Sequence, residues 1–230
     1  MDAGWQSGWS GVRSPEFVTA MFFKVRREGN ASVLQLQSAD GTNRLTRECV
    51  RALTEAVDQL AKDRSPLIIT GNNRFFSAGA DLNEISALTA VSGYEFALMG
   101  QELMSAIAEY PAPVYAAISG YCMGGGLDLA LACHQRIASP DAIFGHRGAA
   151  LGLITGWGGT QRLPRLVGKA RALEMFTTAE KINADCALQI GLISAIAGDP
   201  VAEALLRLEI RFENRSGLRS IARVCPRVIP

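Results

Sequence analysis

Residues 118–128 read ISGYCMGGGLD, a stretch that places three consecutive glycines between two apolar segments. The preceding segment, Val114–Ile118, is typical of a buried strand, and residues 127–132 are typical of a helix. A strand-to-helix junction without side chains exposes backbone N–H groups at the positive end of a helix dipole, where an oxygen with developing negative charge can bind. Neither the G-x-G-x-x-G spacing of a dinucleotide site nor the Gly-Lys-Ser/Thr of a P-loop is present. Taken alone, the run is equally consistent with a helix packed closely on a sheet.

A second turn of small residues favours the oxyanion interpretation. Residues 75–82 read FFSAGADL and follow another apolar run, Leu67–Thr70, which is short enough for a buried strand. Two such turns, each near the end of a buried strand, can each direct one N–H group at the same carbonyl oxygen. Stabilisation of an oxyanion or enolate requires this arrangement.

Four further stretches, together with the two turns, closely resemble the enoyl-CoA hydratase/isomerase (crotonase) superfamily. They read FG at 144–145, LGLI at 151–154, GWGGTQRLPRLVG at 156–168 and GLI at 191–193. The motifs stand in the family's order and spacing over about residues 22–196. The alternation of strands and helices independently predicts parallel pairing in a layered α/β core. The resemblance implies a crotonase-like core, a spiral of repeated β-β-α units, followed by a shortened C-terminal helical appendage.

The 230 residues are predicted to form one core with two flanking segments. Residues 1–20, rich in Gly, Ser and Trp, are expected to be a tag or a disordered extension. Residues 21–198 would form the crotonase-like acyl-CoA-binding core, and residues 199–230 a truncated C-terminal helical region.

Composition narrows the class of protein further. The formal net charge of +1 argues against a dedicated nucleic-acid binder. No apolar run reaches the ~20 residues needed to span a bilayer. The five cysteines are scattered and form no C-x-x-C pair, which favours reduced thiols in a cytoplasmic protein over a disulfide framework or a metal site.

The resemblance also assigns candidate catalytic residues. It implies that the backbone N–H groups of Ala80 and Gly125 form an oxyanion hole for the thioester carbonyl of an acyl-CoA. Hydratases of the family use two glutamates, and Asp128 occupies the position of the first, as a candidate acid or base or instead as a structural aspartate at the helix start. Gly148 occupies the position of the second and has no side chain that could act as acid or base. His146, two residues earlier, is a candidate replacement, although it could equally be a structural loop residue.

Substrate binding is expected to use Arg44, Ala78, Ala80 and Leu82. Arg44 lies in the stretch that corresponds to the family's adenine pocket, where it could stack on adenine, pair with a phosphate or point into solvent. The backbone of the other three would line the pantetheine tunnel. No cofactor is expected beyond the coenzyme A of the substrate, and the resemblance implies a homotrimer or a dimer of trimers.

These features predict an enzyme of fatty acid metabolism that acts on an acyl-CoA thioester through an enolate and an oxyanion hole. The family favours enoyl-CoA hydration. Because the second glutamate is missing, isomerisation, decarboxylation and thioester hydrolysis stay open, as does a catalytically weak acyl-CoA-binding protein.

Overall fold

Two β-sheets and a short strand pair organise the computed structural model, in which residues 18–19 and 21–211 are described. The strands are β1 (Val18–Thr19), β2 (Phe23–Glu28), β3 (Ala31–Leu36), β4 (Arg44–Leu45), β5 (Leu67–Thr70), β6 (Phe75–Ser77), β7 (Gly79–Ala80), β8 (Val114–Ile118), β9 (Tyr121–Met123), β10 (Gln135–Ala138), β11 (Ile143–Gly145), β12 (Ile182–Asn183) and β13 (Ala195–Ile196). The helices are α1 (Arg47–Ala61), α2 (Leu82–Ser86), α3 (Ala90–Ala108), α4 (Gly125–Ala132), α5 (Gly159–Val167), α6 (Lys169–Thr178), α7 (Ala184–Gln189) and α8 (200–211), with a 3₁₀ helix at Arg147–Leu151.

The larger sheet has seven strands in the order β1-β2-β3-β5-β8-β10-β13. Its first three strands are antiparallel, and every pair from β3 onward is parallel. The smaller sheet has the order β12-β11-β9-β6, in which β6, β9 and β11 are parallel and β12 is antiparallel. The prediction of parallel pairing is therefore confirmed for the central strands of both sheets.

A repeated unit connects the two sheets. In each repeat the first strand (β5, β8 or β10) joins the larger sheet, and the second (β6, β9 or β11) joins the smaller one. Helices then lead to the next repeat: α2 and α3 after β6, α4 after β9, and α5 and α6 after β11. This succession confirms the predicted β-β-α spiral.

The central strands are buried on both faces, and their side chains alternate between two apolar clusters. Ile69 and Ala116 belong to the main core, which also contains the buried faces of α1, α3 and α4. Ile68 and Tyr115, one position earlier on the same strands, belong to the second cluster. Helix α8 covers that second face with side chains such as Leu208, so the described part of the C-terminal region packs against the sheet.

The flanking segments are described only in part. Of the predicted extension over residues 1–20, only the β1 strand is described. Residues 212–230 of the predicted C-terminal region also lie outside the described residues. Within the described part of the chain, none of the helices is long and apolar enough to cross a membrane.

Candidate active site

The two turns identified in the sequence lie against each other at the first turn of α4. A Cβ atom built on Gly79 would lie 3.1 Å from the amide nitrogen of Gly125, and one built on Gly125 would lie 3.3 Å from the amide nitrogen of Ala80. The strand pair β4 and β7 holds the first turn, with Leu45 opposite Ala80. The fold thus brings the Ala80 and Gly125 amides together at the positive end of a helix dipole.

Each glycine of the run at 124–126 is required for a different physical reason. Gly124 has φ +50°, in the region that favours glycine. A Cβ atom on Gly125 would approach the Trp157 ring to 2.6 Å. One on Gly126 would lie 2.7 Å from the Ser77 carbonyl oxygen. The helix begins at Gly125 rather than at Leu127, where the sequence suggested, because only Gly124 leaves the helical conformation.

A cavity of about 510 Å³ opens beside these turns. Most of its lining is apolar, and it includes Ala78, Ala80 and Leu82, the residues expected to line the pantetheine tunnel. Among the described residues, the ionisable side chains of the lining belong to Asp128, His146 and Arg147. The cavity therefore combines an apolar wall with few groups that can transfer a proton.

Arg44 lies outside the lining of this cavity. Its guanidinium group forms ion pairs with Asp40 and with Asp81, the latter at 3.3 Å. Asp81 also caps α2, because its Oδ1 accepts from the amides of Asn83 and Glu84. Arg44 is 41% exposed and already paired with two carboxylates, so an anionic ligand would have to compete with them.

Asp128 lies in the first turn of α4 and is 1% exposed. Its Oδ2 accepts a hydrogen bond from the Thr155 hydroxyl group, while its Oδ1 has no hydrogen-bond partner among the described residues. Burial raises the pKa of the carboxyl group to about 7, and the Thr155 bond, the charge of Arg162 and the Gly159 amide oppose that rise. Both protonation states of the carboxyl group are therefore accessible near neutral pH.

His146 faces the free oxygen of Asp128. Its Nε2 lies 3.6 Å from Asp128 Oδ1 and also has no hydrogen-bond partner among the described residues. The imidazole is 4% exposed and packs on the Phe176 ring at a centroid distance of 5.0 Å. Burial lowers the pKa of His146 to about 4, so the ring is neutral at pH 7 and can accept a proton. The buried pair thus places a group that can donate a proton, Asp128, next to a group that can accept one, His146.

Comparison with known proteins identifies the family. Residues 26–213 match the sequence model of the enoyl-CoA hydratase/isomerase family. The chain belongs to this family. It is 43% identical to a probable enoyl-CoA hydratase of Bacillus subtilis over 76% of this chain and 69% of that protein. It is 38% identical to a crotonyl-CoA hydratase of Syntrophomonas wolfei over 75% of this chain and 67% of that protein. The solved structure of Pseudomonas aeruginosa DspI superposes with a TM-score of 0.80 at 31% identity, covering 92% of this chain and 91% of that one.

Gly148, the residue that we expect at the position of the second family glutamate, lies on the 3₁₀ helix and has no room for a side chain. A Cβ atom built there would lie 2.7 Å from the carbonyl oxygen of Leu153. The same segment is closed by a hydrogen bond from the Leu153 amide to the Gly148 carbonyl oxygen at 2.8 Å. A glutamate at this position would therefore shift the loop, so G148E changes the loop as well as adding a carboxylate.

Three site residues in the family motif at 156–168 and just before it were not assigned from the sequence. Thr155 holds one oxygen of Asp128, and Gly159 packs directly on the other. Trp157 covers the Gly125 turn, and its indole N–H donates to the Phe96 carbonyl oxygen at 3.1 Å. The clustering of glycines around Trp157 was the available signal, but the sequence does not reveal which side chains those glycines accommodate.

The variant G159A is expected to disturb the acid–base pair. A Cβ atom at this position would lie 2.1 Å from Asp128 Oδ1 and 3.1 Å from His146 Cε1. We expect a loss of about 1–3 kcal/mol in the free energy of unfolding from this overpacking, partly offset by the helix propensity of alanine, together with a loss of activity. G156A is the matched control, because its Cβ atom would meet only Ala97 Cβ at an ordinary 3.6 Å. Equal denaturant midpoints for the two variants would contradict this account of Gly159.

Proposed function

We propose that this protein adds water reversibly to the double bond of a 2-enoyl-CoA, with Asp128 and His146 as the proton-transferring groups. The observation that carries the proposal is the buried contact of these two side chains, whose free Oδ1 and Nε2 atoms face each other at 3.6 Å beside the two turns. The names of the two curated relatives, both hydratases, support the same class of reaction.

In the proposed reaction, the amides of Ala80 and Gly125 donate to the thioester oxygen of the substrate. Negative charge grows on that oxygen when a nucleophile attacks C3, so the two donors stabilise the enolate more than the ground state. The location of both amides at the start of α4 supports this role, because the helix dipole adds to the stabilisation of the negative charge.

The proton transfers balance between two groups. The water oxygen bonds to C3 while His146 Nε2 accepts one of its protons, and the protonated Asp128 donates its proton to C2. The product is a 3-hydroxyacyl-CoA, and His146 is left protonated beside an Asp128 carboxylate. Transfer of the proton from His146 back to Asp128 across their contact restores the starting state. The opposite pKa shifts of the two groups support this assignment, because part of the Asp128 population carries a proton at neutral pH whereas His146 is neutral.

Isomerisation of a 3-enoyl-CoA is a second candidate reaction. It needs one carboxylate that removes a proton from C2 and returns it at C4. Asp128 is the only carboxylate in the cavity lining formed by the described residues, and a pKa of about 7 makes both of its protonation states available. This reaction would use the same oxyanion hole and would not require His146.

The purified protein should be assayed with crotonyl-CoA and, separately, with a 3-enoyl-CoA, with products separated by mass. We expect crotonyl-CoA to gain the mass of one water and no free coenzyme A to appear. Conversion of the 3-enoyl-CoA without hydration of crotonyl-CoA would favour the isomerase. Release of free thiol would indicate a thioester hydrolase, loss of carbon dioxide from a carboxylated acyl-CoA a decarboxylase, and binding without turnover a binding protein; each of these would overturn the hydratase proposal.

We further propose that the protein needs no cofactor beyond the coenzyme A of its substrate. A cytoplasmic location stays a prediction from the cysteine pattern, and a role in fatty acid metabolism and assembly as a homotrimer or a dimer of trimers stay predictions from the family. Light scattering tests the assembly directly, and a monomer at assay concentration would contradict it.

A further inference from the structure

The carboxyl group of Asp128 is held asymmetrically. Its Oδ2 accepts from the Thr155 hydroxyl group, whereas its Oδ1 has no hydrogen-bond partner among the described residues and faces His146 Nε2. The Gly159 backbone lies directly beside Oδ1, and its amide, although outside hydrogen-bonding geometry, also lowers the pKa of the carboxyl group. The two oxygens of one carboxyl group thus have different surroundings.

We propose that Thr155 is a positioning residue that holds Oδ2 of Asp128 and so makes Oδ1 the oxygen that takes up and releases the catalytic proton. This inference rests on the proposed role of Asp128 in proton transfer and assigns that role to one oxygen.

The chemistry of a carboxyl group explains the asymmetry. A protonated carboxyl group has one O–H donor, and its other oxygen is an acceptor. Because the Thr155 hydroxyl group donates to Oδ2, the acceptor role falls to that oxygen and the proton belongs on Oδ1. There it points toward the side of the site that contains His146. Without Thr155, no side-chain hydrogen bond would mark Oδ2 as the acceptor and Oδ1 as the oxygen that carries the proton.

Thr155 also affects how readily Asp128 loses its proton. A hydroxyl group donating to a carboxylate stabilises the charged form, which is otherwise disfavoured by burial. The other ionisable groups near Asp128 are the neutral His146, the Arg162 guanidinium, and the buried Cys122 thiol. Arg162 donates to the carbonyl oxygens of Trp157 and Met104, both at 3.3 Å, and so acts on Asp128 only through its charge. Thr155 is therefore the side chain that stabilises the anion by direct contact.

Two substitutions separate the effect of the Thr155 hydroxyl group from the effect of the side-chain shape. T155V keeps the branched side chain, whose Cγ2 packs near Gly159, and removes the donor. T155S keeps the donor and removes the methyl group. T155A is a second variant without the hydroxyl group, for use if valine disturbs folding, and circular dichroism reports the fold of each.

The test is the titration of the Asp128 carboxyl carbon by ¹³C NMR in the ligand-free protein, with D128N used to assign the signal. We expect T155V and T155A to raise the midpoint by about one to two pH units and T155S to stay near the wild type. A T155V midpoint equal to that of the wild type would overturn the proposal. The measurement needs no substrate, so an inactive wild-type protein would contradict the hydratase proposal, whereas an unmoved T155V midpoint would contradict the role of Thr155 itself.

The pH dependence of kcat for crotonyl-CoA hydration gives a second readout. Turnover requires protonated Asp128 in the hydration direction, so the alkaline limb should move to higher pH in T155V together with the NMR midpoint. A fall in kcat with an unmoved limb would indicate a purely structural role for Thr155 and would contradict the inference.

Discussion

Replacing Asp128 with asparagine is expected to lower kcat for hydration of a 2-enoyl-CoA by about 10²–10⁴-fold while changing the affinity for the CoA thioester little. Asparagine matches the shape of aspartate but cannot transfer a proton. Its amide oxygen can still accept from Thr155, and its NH₂ group can donate to the free Nε2 of His146. The variant should therefore fold with the site intact. Steady-state kinetics and calorimetric binding of a non-reactive acyl-CoA separate the two effects.

The same variant should be more stable than the wild type at alkaline pH. Burial raises the pKa of Asp128 from 3.8 to about 7 in the folded protein, so the folded state binds more protons than the unfolded state between these values. The contribution of Asp128 to wild-type stability should then fall as the pH rises through this window, by at most about 1.4 kcal/mol per pH unit, whereas His146, whose pKa is lowered to about 4, contributes the opposite slope in both proteins. Asparagine has no such dependence. The difference in denaturant midpoint between D128N and the wild type should therefore widen in favour of D128N from pH 4 to pH 8.

A D128N protein with wild-type kcat would remove Asp128 from the mechanism. H146A extends the comparison, because the two candidate reactions differ in their need for His146. Loss of hydration in both variants supports the acid–base pair. If H146A keeps full hydration activity, water is activated by another group and the role proposed for His146 is wrong.

Most of the fold could be predicted from the sequence, because the residue patterns that indicate strands and helices are local. Buried strands such as Leu67–Thr70 and Val114–Ile118 form continuous apolar runs, and the structure has them at those residues. The first and last residues of the helices and strands were harder to predict. The apolar period over residues 45–61 predicts a helix from Leu45, but the helix begins at Arg47, because Thr46 caps it by accepting from the Cys49 amide. Leu45 instead pairs with Ala80 in the strand pair that supports the turn at residues 75–82.

Only the part of the candidate site that is formed by backbone N–H groups could be predicted from the sequence. Glycines at 124–126 indicated a turn with accessible amides, and the family motif indicated its counterpart at Ala80. The surroundings of Asp128 depend instead on contacts between residues far apart in sequence. Thr155 lies 27 positions from the carboxylate that it contacts. The sequence gives no measure of such a distance in space, so the buried pair with His146 and its hydroxyl partner emerged only from the structure.

Replacing Gly125 with proline is expected to lower kcat by about 10²–10³-fold relative to alanine at the same position. Proline has no N–H group, so it deletes one of the two proposed donors to the thioester oxygen. Gly125 is the first residue of α4, a position at which helices accept proline. The substitution therefore removes the donor with little cost to the helix itself.

Alanine is the necessary control, because any Cβ atom at this position disturbs Trp157. The added atom would lie 2.6 Å from the indole ring in both G125A and G125P, whereas only G125P loses the amide. The ratio of the two variants, rather than either alone, measures the contribution of the N–H group. Near-equal kcat values would mean that the effect is steric and that Gly125 does not donate to the substrate.

A ligand that forms an enolate allows the same comparison without turnover. A 3-ketoacyl-CoA ionises to an enolate whose near-ultraviolet absorbance differs from that of the keto form. A site that stabilises the enolate shifts this equilibrium on binding. We expect the wild type and G125A to shift it toward the enolate and G125P to bind the thioester without doing so. D128N should retain the shift, because the backbone N–H groups of Ala80 and Gly125 are unchanged in this variant. The ligand therefore distinguishes loss of an oxyanion-hole donor from loss of the proton-transferring carboxyl group. A clear enolate signal in G125P would show that the Gly125 N–H group is not needed to stabilise the enolate and would contradict its proposed role.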